Sequence, residues 1–199
     1  LRARDCWSLA MSRSDEERRR LDVLFGPALP AGGNGIQPHE MSFSPRSRQK
    51  LGHRSAVGLA DYLAQLSDLH ISNLFPEIFH LLWIVDEDGD LWFSVQEVID
   101  GSAATIGILP KSVQARPLSL QKLGHPTLIG DQLKLARIGG ELVFDPDDPD
   151  GSGRNFCLTN ASGRYGLRPG QRMEHLQAVA SKFAENGLHF WLDFQTPRS

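Results

Sequence analysis

The pattern that most constrains the fold lies near the C-terminal end of this 199-residue chain. Over residues 171–187, apolar side chains recur at the spacing of one helical face, and Gly187 stands where a helix end favours glycine. The expected buried positions are Met173, Leu176, Val179, Ala180 and Phe183. The next stretch, LHFWLDF, alternates strictly and predicts a strand. A sheet that includes this strand must therefore cover the apolar face of the helix.

Two stretches upstream are typical of antiparallel strands. LLWIVDEDGDLWFSVQEV places two β-rich runs around Asp88-Gly89, which predicts a hairpin. QLKLARIGGELVF and NFCLTN predict a second strand pair, with a bulge at Gly139-Gly140 where the side-chain parity changes. We therefore expect an α+β fold, in which a mainly antiparallel sheet carries the C-terminal amphipathic helix and short helices precede it.

The N-terminal part of the chain predicts three regions. Residues 1–26 are expected to form an arm with one short helix, which has a Ser14–Glu17 capping box and ends at Gly26. Residues 27–54 are rich in Pro, Gly and Ser and predict a flexible linker. A single α+β domain is expected over 55–199. Its first helix is expected to bury Val57, Ala60, Leu63, Ala64 and Leu66.

Composition and charge exclude some partners. The net charge of -3 gives no basic field to attract nucleic acid. No apolar run approaches the roughly 20 residues of a membrane-spanning helix, and the N-terminal stretch has no signal-peptide core. We therefore expect synthesis in the cytoplasm, with export by a specialised secretion system left open. Cys6 and Cys157 are expected to be reduced thiols.

Two acidic stretches have spacing that suits a cation. DEDGDLWFSVQE has oxygen-bearing residues at calcium-loop positions, but Leu91 stands where that loop needs glycine, so the hairpin interpretation is favoured. FDPDDPDGSG clusters aspartates, and a solvated hairpin loop is favoured there too. No zinc-ligand spacing is present in the sequence, and we expect no metal site.

The stretch LTNASGRYG, residues 158–166, predicts a ligand-binding loop. Ser162 can cap the turn, and Gly163 permits a positive φ. Arg164 offers a donor fork for phosphate or carboxylate, and Tyr165 offers a stacking face. These side chains suit a nucleotide-like anion. The alternative is a connecting turn whose tyrosine packs on the core.

Two further residues are candidates for chemistry. His125 precedes a proline in irregular sequence and is a candidate acid, base or hydrogen-bond donor. Glu141 follows two glycines that let a ligand approach the backbone, so its carboxylate is a candidate for holding ribose hydroxyls. The alternatives are a surface or packing histidine and an edge-strand glutamate next to a bulge.

The motifs GHPTLIGD, RIGGELVF, LTNASGRYG and RMEHLQAVASKFAENGL together resemble a pattern found in plant IQ-motif calmodulin-binding proteins and uncharacterised bacterial proteins. The resemblance covers about residues 81–194, and it departs at Arg164, where that family is expected to have histidine. It implies a site built from His125, Glu141, Ser162, Arg164 and Tyr165. No IQ motif is present, so calmodulin binding does not carry over.

Two functions of different classes remain. The first is a bacterial effector or toxin-like domain with a nucleotide pocket, in which NAD-dependent ADP-ribosyl transfer uses His125, Glu141 and Tyr165 as catalytic residues. Ser162, Gly163 and Arg164 would then bind the ligand, although known transferases place the glutamate after the Ser or Tyr motif. The second is a non-enzymatic effector, immunity or adaptor module that binds a protein through an arginine-rich arm and an exposed Trp92-Phe93 hairpin.

Overall fold

The computed structural model describes residues 15–33, 35–68, 80–102, 105–108, 119–145 and 155–196. The helices are α1 (15–25), α2 (Pro38–Ser42), α3 (His53–Asp68) and α4 (Met173–Ala184), with a 3-10 helix at His125–Leu128. The strands are β1 (Gln49–Lys50), β2 (His80–Asp86), β3 (Leu91–Val95), β4 (Glu97–Ile99), β5 (Thr105–Ile108), β6 (Gln121–Lys122), β7 (Ala136–Phe144), β8 (Phe156–Thr159) and β9 (Trp191–Asp193).

The strands form two sheets. The main sheet has the order β1-β3-β2-β7-β8-β9, and a smaller one has the order β5-β4-β6. Among the described strands, neighbours pair antiparallel except β8 and β9, which are parallel. The predicted α+β class with a mainly antiparallel sheet is therefore confirmed.

One face of the main sheet carries the larger hydrophobic core. Leu81, Trp83 and Leu158 from the sheet belong to the same buried cluster as side chains of three helices. From α4 these are Leu176, Val179 and Phe183. Met173 of the predicted stripe is 37% exposed, because it lies in the first turn. The predicted helix end is confirmed, since Gly187 has φ +80° and the Leu188 N–H donates to the Phe183 carbonyl.

Of the five positions expected to be buried in helix α3, Leu63 and Leu66 are buried and the other three are exposed. Its buried positions are Ala56, Leu59, Leu63 and Leu66. Val57 is 50% exposed, and Ala60 and Ala64 are also exposed. The sequence contains apolar residues on two adjacent faces, and the leucine-rich face wins because leucine buries more apolar area than alanine.

The β2–β3 hairpin is confirmed. The pairs run from Leu81 opposite Val95 to Val85 opposite Leu91. Asp86 orders the turn, because its Oδ1 accepts the Asp90 N–H at 2.9 Å and its Oδ2 accepts the Trp92 indole N–H at 2.8 Å. Both carboxylate oxygens of Asp86, the first residue of the stretch with calcium-loop spacing, therefore accept hydrogen bonds from within the hairpin.

The expected bulge lies at another place in β7. The register shifts where Val85 pairs with Ile138 and Asp86 pairs with Ala136, so Arg137 is the inserted residue. Gly139 and Gly140 pair regularly with β2. Their role is close approach, because a Cβ on Gly140 would lie 1.9 Å from the Thr159 carbonyl oxygen of β8.

The segment 27–54 differs from the expected flexible linker. It contributes α2 and the edge strand β1, and Leu29 forms a two-way backbone bridge with Ala136 of β7. Glu40 of α2 is 2% exposed. Composition alone suggested mobility, whereas backbone pairing and one buried carboxylate hold the segment against the sheet.

Several other predictions meet the structure in part. The sequence predicts no strand between the two hairpins, and β5, β6 and the 3-10 helix lie there. Ser14, Cys6 and most of the 145–153 loop are outside the described residues, so their predictions stay predictions. Cys157 lies in β8 as expected and is buried. None of the helices in the described ranges has the length and apolar character needed to cross a membrane.

Candidate functional site

A polar cleft of about 440 Å³ lies where five separate segments meet. Its walls come from the segment between Gly33 and α2, the β3–β4 connection, the stretch from β6 to the 3-10 helix, strand β7 and the turn after β8. The side chains and backbone that line it belong to Gly33, Glu40, Gln96, Lys122, Gly124, His125, Glu141, Ala161, Ser162, Gly163 and Arg164. Five of the six predicted site residues therefore meet in one cleft, and Tyr165 is the exception.

The SGRYG turn is held by its own backbone. The Ser162 carbonyl accepts the N–H groups of Gly166 and Leu167 at 2.8 and 2.9 Å, and its hydroxyl accepts the Tyr165 N–H at 3.3 Å. The predicted capping role of Ser162 is thereby confirmed. Gly163 does not have the positive φ that was expected, and no other part of the described chain comes within 4 Å of its Cβ position. The turn needs no left-handed residue there, because its hydrogen bonds close without one.

The close packing under this turn depends on Gly166 and Asn160. A Cβ on Gly166 would lie 1.9 Å from the Asn160 carbonyl oxygen. The fully buried Asn160 amide donates to the carbonyls of Gly166 and Gln195, both at 3.0 Å. The SGRYG turn is therefore fixed to the end of β8, and its polar residues project from a rigid base.

Arg164 lies at the surface of the cleft and reaches a buried acid. Its Nη1 donates to Glu40 Oε2, and the two side chains form an ion pair. The Arg164 side chain is 24% exposed, whereas that of Glu40 is 2% exposed. The guanidinium is thus anchored by a buried acid and lines the cleft, where a phosphate- or carboxylate-binding group would lie.

Tyr165 does not have the predicted role. Its side chain is completely buried and packs with Leu82, Ile84 and other apolar side chains on the second face of the main sheet. Its hydroxyl donates to the Lys134 carbonyl at 3.0 Å, and burial raises the pKa of the phenol. Tyr165 is therefore a core residue, which was the alternative weighed for it, and it offers no stacking face to a ligand.

His125 is fixed at the floor of the cleft. It begins the 3-10 helix, is 9% exposed, and its Nε2 lies 2.8 Å from the Gly140 carbonyl oxygen. Because a carbonyl only accepts, Nε2 carries the proton in this contact. In the neutral ring Nδ1 is then the basic nitrogen, which suits a histidine that acts as a base or acceptor.

Glu141 follows the two glycines of β7 and lines the same cleft. It pairs with Leu82 on β2 and with Thr159 on β8, so it lies near the centre of the sheet rather than on an edge strand. Its side chain is half-buried. A carboxylate near the centre of a sheet has a fixed backbone, which makes it suitable for binding hydroxyl groups.

Sequence reasoning missed three polar residues of the cleft: Glu40, Gln96 and Lys122. The Gln37 N–H donates to Glu40 Oε2 at 2.8 Å, so the residues QPHE contain a local helix-start signal. That signal could have revealed α2, but the burial of Glu40 depends on Arg164, which is 124 residues further along the chain. Lys122 has no local signal that marks it as a ligand-binding residue.

A buried arginine outside the cleft clamps its walls together. Arg168 donates from Nε to the Arg164 carbonyl, from Nη1 to the Ala136 carbonyl, and from Nη2 to two carbonyls at 29–30. Burial lowers the pKa of its guanidinium to about 10. These bonds tie the SGRYG turn, β7 and the segment before α2 into one unit.

A second, larger groove of about 580 Å³ lies beside α1. Its walls include Arg18, Asp22 and Arg137, and none of the predicted site residues lines it. Arg137 is 2% exposed and pairs with Asp22 at 2.6 Å, and it also donates to two backbone carbonyls. Through these contacts, the guanidinium of Arg137 holds α1 to the sheet.

The exposed aromatic surface expected for a protein-binding module is not found on the β2–β3 hairpin. Phe93 is 4% exposed and belongs to the main core. Trp92 is half-buried, and the guanidinium of Arg48 lies 3.9 Å above its ring. Alternation along the strand places the two aromatic rings on opposite faces of the sheet, and both faces are covered there.

Comparisons with known proteins return nothing. No family model matches the chain, no curated protein matches it, and no solved structure matches it. Across the described ranges, no group of three or more His, Cys, Asp or Glu side chains is arranged to hold a metal ion. The geometry of the cleft is therefore the basis for inferring what the protein does.

Proposed function

We propose that the cleft binds a small, anionic ligand of nucleotide type, with NAD as the candidate substrate. The observation that carries this proposal is that Arg164, His125 and Glu141, which belong to three separate structural elements, line one cleft. Two of them have fixed side chains, since His125 bonds Gly140 and Arg164 bonds Glu40. Such preorganised polar groups are what a specific small-molecule site needs.

The charges of the cleft fit a ligand that carries phosphate and hydroxyl groups. Arg164 and Lys122 supply two cations for phosphate oxygens, and Glu141 supplies an acceptor for ribose hydroxyls. Because Tyr165 lies in the core, binding depends on the phosphate and the sugar rather than on stacking of the base. We therefore expect ADP-ribose and NAD to bind, and adenosine without phosphate to bind weakly.

The reaction proposed for this cleft is ADP-ribosyl transfer. The glycosidic C–N bond of NAD breaks, and its electron pair leaves with nicotinamide. The ribose carbon becomes positively charged, and a hydroxyl oxygen of water or of an acceptor then forms the new bond and loses its proton. The Glu141 carboxylate stabilises the positive charge and takes the proton, and Arg164 holds the pyrophosphate. The effector or toxin setting stays a prediction.

Release of nicotinamide from NAD is the direct test of this reaction. We expect wild-type protein to release it, and we expect Glu141→Gln to lower the rate at least 100-fold, because charge stabilisation of this kind contributes about 3 kcal/mol or more. Glu174→Gln is the matched control, since Glu174 is exposed on α4 and does not line the cleft. Equal rates in wild type and Glu141→Gln would refute the catalytic assignment.

A further inference from the structure

We propose that Glu40 is a positioning residue of the cleft, which holds the Arg164 guanidinium in its ligand-binding orientation. The orientation of the guanidinium can be tested without any ligand, whereas the effect of Glu40 on ligand affinity rests on the proposed function. Glu40 belongs to α2, in the segment that composition predicted as a linker. The inference assigns this N-terminal segment a direct part in the site.

The first support is the difference in burial within the ion pair. Glu40 is almost inaccessible at 2% exposure, and Arg164 is 24% exposed. A surface ion pair would leave both groups in water, where their interaction contributes little. Here the carboxylate is buried and the guanidinium keeps part of its exposure, so a fixed acid restrains the more accessible arginine.

The second support is that only one guanidinium nitrogen is used. Nη1 donates to Glu40, and Arg164 has no other side-chain hydrogen bond to the residues that the structure describes. Its backbone is fixed independently, because the Arg164 carbonyl accepts the Gly32 N–H and the Arg168 Nε–H, both at 2.9 Å. Glu40 therefore restrains the side chain, and Nε and Nη2 keep donors for a ligand.

The third support is the room made for Glu40 at the 3-10 helix. A Cβ on Gly124 would lie 2.8 Å from Glu40 Oε1, so the residue before His125 has to be small for the carboxylate to enter. Glu40 thus touches both the His125 segment and the SGRYG turn. One carboxylate sets the relative position of the two polar walls of the cleft.

Stability alone gives little reason for this arrangement. Desolvation of two charges offsets most of their attraction, and apolar pairs of similar volume are often equally stable. Removing one partner, however, leaves an uncompensated buried charge. Glu40→Gln is therefore the informative variant, because it keeps the shape and removes the charge of the buried member.

Chemical modification of Arg164 tests the inference without any ligand. Full-length wild type and Glu40→Gln are treated with phenylglyoxal, and modification of Arg164 is followed by peptide mass spectrometry. We expect Arg164 to react several-fold faster in Glu40→Gln, because its guanidinium is released. Arg54, exposed on α3, is the internal reference and should react equally in both proteins. An unchanged rate at Arg164 would overturn the proposal, whatever the cleft binds.

Glu97→Gln is the matched control for loss of a buried carboxylate. Glu97 is 5% exposed, accepts the N–H groups of Arg46 and Ser47, and does not line the cleft. We expect it to lower the melting temperature without changing the reactivity of Arg164. If Arg164 also reacts faster in Glu97→Gln, the effect comes from a general loosening of the structure, and the positioning role of Glu40 is overturned.

The affinity for inorganic pyrophosphate, measured by calorimetry, tests the functional consequence. We expect Glu40→Gln to bind it about tenfold more weakly than wild type and Glu40→Asp to recover part of the loss. Tighter binding by Glu40→Gln would show that the carboxylate only repels anions, and would overturn the proposal. If no protein binds pyrophosphate or NAD while Arg164 still responds to Glu40→Gln, the proposed function fails and the positioning role stands.

Discussion

The Nε2 of His125 donates a hydrogen bond to the carbonyl oxygen of Gly140 across 2.8 Å. This contact joins the 3-10 helix to the centre of β7, and it places an imidazole beside the strand that carries Glu141. The glycine matters as much as the histidine, because no side chain on residue 140 could fit between β7 and β8. The floor of the cleft is therefore a packing arrangement as well as a polar one.

Replacing His125 should cost stability as well as any activity. His125→Ala leaves the Gly140 carbonyl without its buried donor, which should lower the free energy of unfolding by about 1–3 kcal/mol. Urea denaturation measures this loss. His189→Ala is the control, because His189 is exposed outside the cleft, and it should change the value by less than about 0.5 kcal/mol. Equal effects of the two substitutions would contradict the assignment of His125.

Gly140 in β7 and Gly163 in the turn after β8 should respond very differently to alanine. Gly140→Ala puts a Cβ within 1.9 Å of a backbone oxygen and should destabilise the protein by more than about 3 kcal/mol or prevent folding. Gly163→Ala meets open space and should be nearly neutral. Melting temperatures of the two variants give the comparison. A stable Gly140→Ala protein would mean that β7 and β8 lie further apart than described.

Tyr165→Phe separates the core role from the predicted ligand role. Loss of the hydroxyl leaves the buried Lys134 carbonyl without its donor and should cost about 1–2 kcal/mol of stability. The affinity for ADP-ribose should not change, because Tyr165 does not line the cleft. Calorimetry on the folded variant measures this, and a loss of affinity above about fivefold at unchanged structure would restore Tyr165 as a ligand-binding residue.

The buried thiol of Cys157 should make stability fall in alkali. Burial raises the pKa of the thiol from 9.0 to about 12, so the folded state holds a proton that the unfolded state releases. This contribution is complete below pH 9 and is lost as the pH rises toward 12, at about 1.4 kcal/mol per pH unit. Urea titrations between pH 8 and pH 10.5 measure the slope. Cys157→Ala should have a shallower slope, and identical slopes would contradict the burial of the thiol.

Local signals account for the parts of the fold that the sequence predicted well. The β2–β3 hairpin follows from Asp88-Gly89, and the end of α4 follows from Gly187, since each needs only a few neighbouring residues. The prediction that Ala60 and Ala64 of α3 are buried was wrong because small alanines on a neighbouring face resemble core positions in the sequence. The bulge was misplaced because glycines at 139–140 serve close packing, which sequence parity does not distinguish from a bend.

The cleft was predictable only where polar residues stood beside glycines in short motifs. His125, Glu141 and Arg164 were found in this way. Glu40 was not found, because its burial depends on an arginine that is distant in the sequence. Lys122 was not found, because nothing near it in the sequence distinguishes it from a surface lysine. Tyr165 was misassigned because it packs closely against Gly139 of β7. A Cβ on Gly139 would lie 3.2 Å from the Cβ of Tyr165. This close packing places the tyrosine of the motif in the core.

The affinity of the full-length protein for ADP-ribose, measured by calorimetry in wild type and Arg164→Gln, tests the central claim most directly. Glutamine can still donate to Glu40 but carries no charge, so the variant should fold and bind at least tenfold more weakly. Arg54→Gln, at an exposed position of α3, should bind as wild type does. Measurable binding that weakens in Arg164→Gln and not in Arg54→Gln is the predicted result. No binding by wild type, or equal affinity in wild type and Arg164→Gln, would contradict the account.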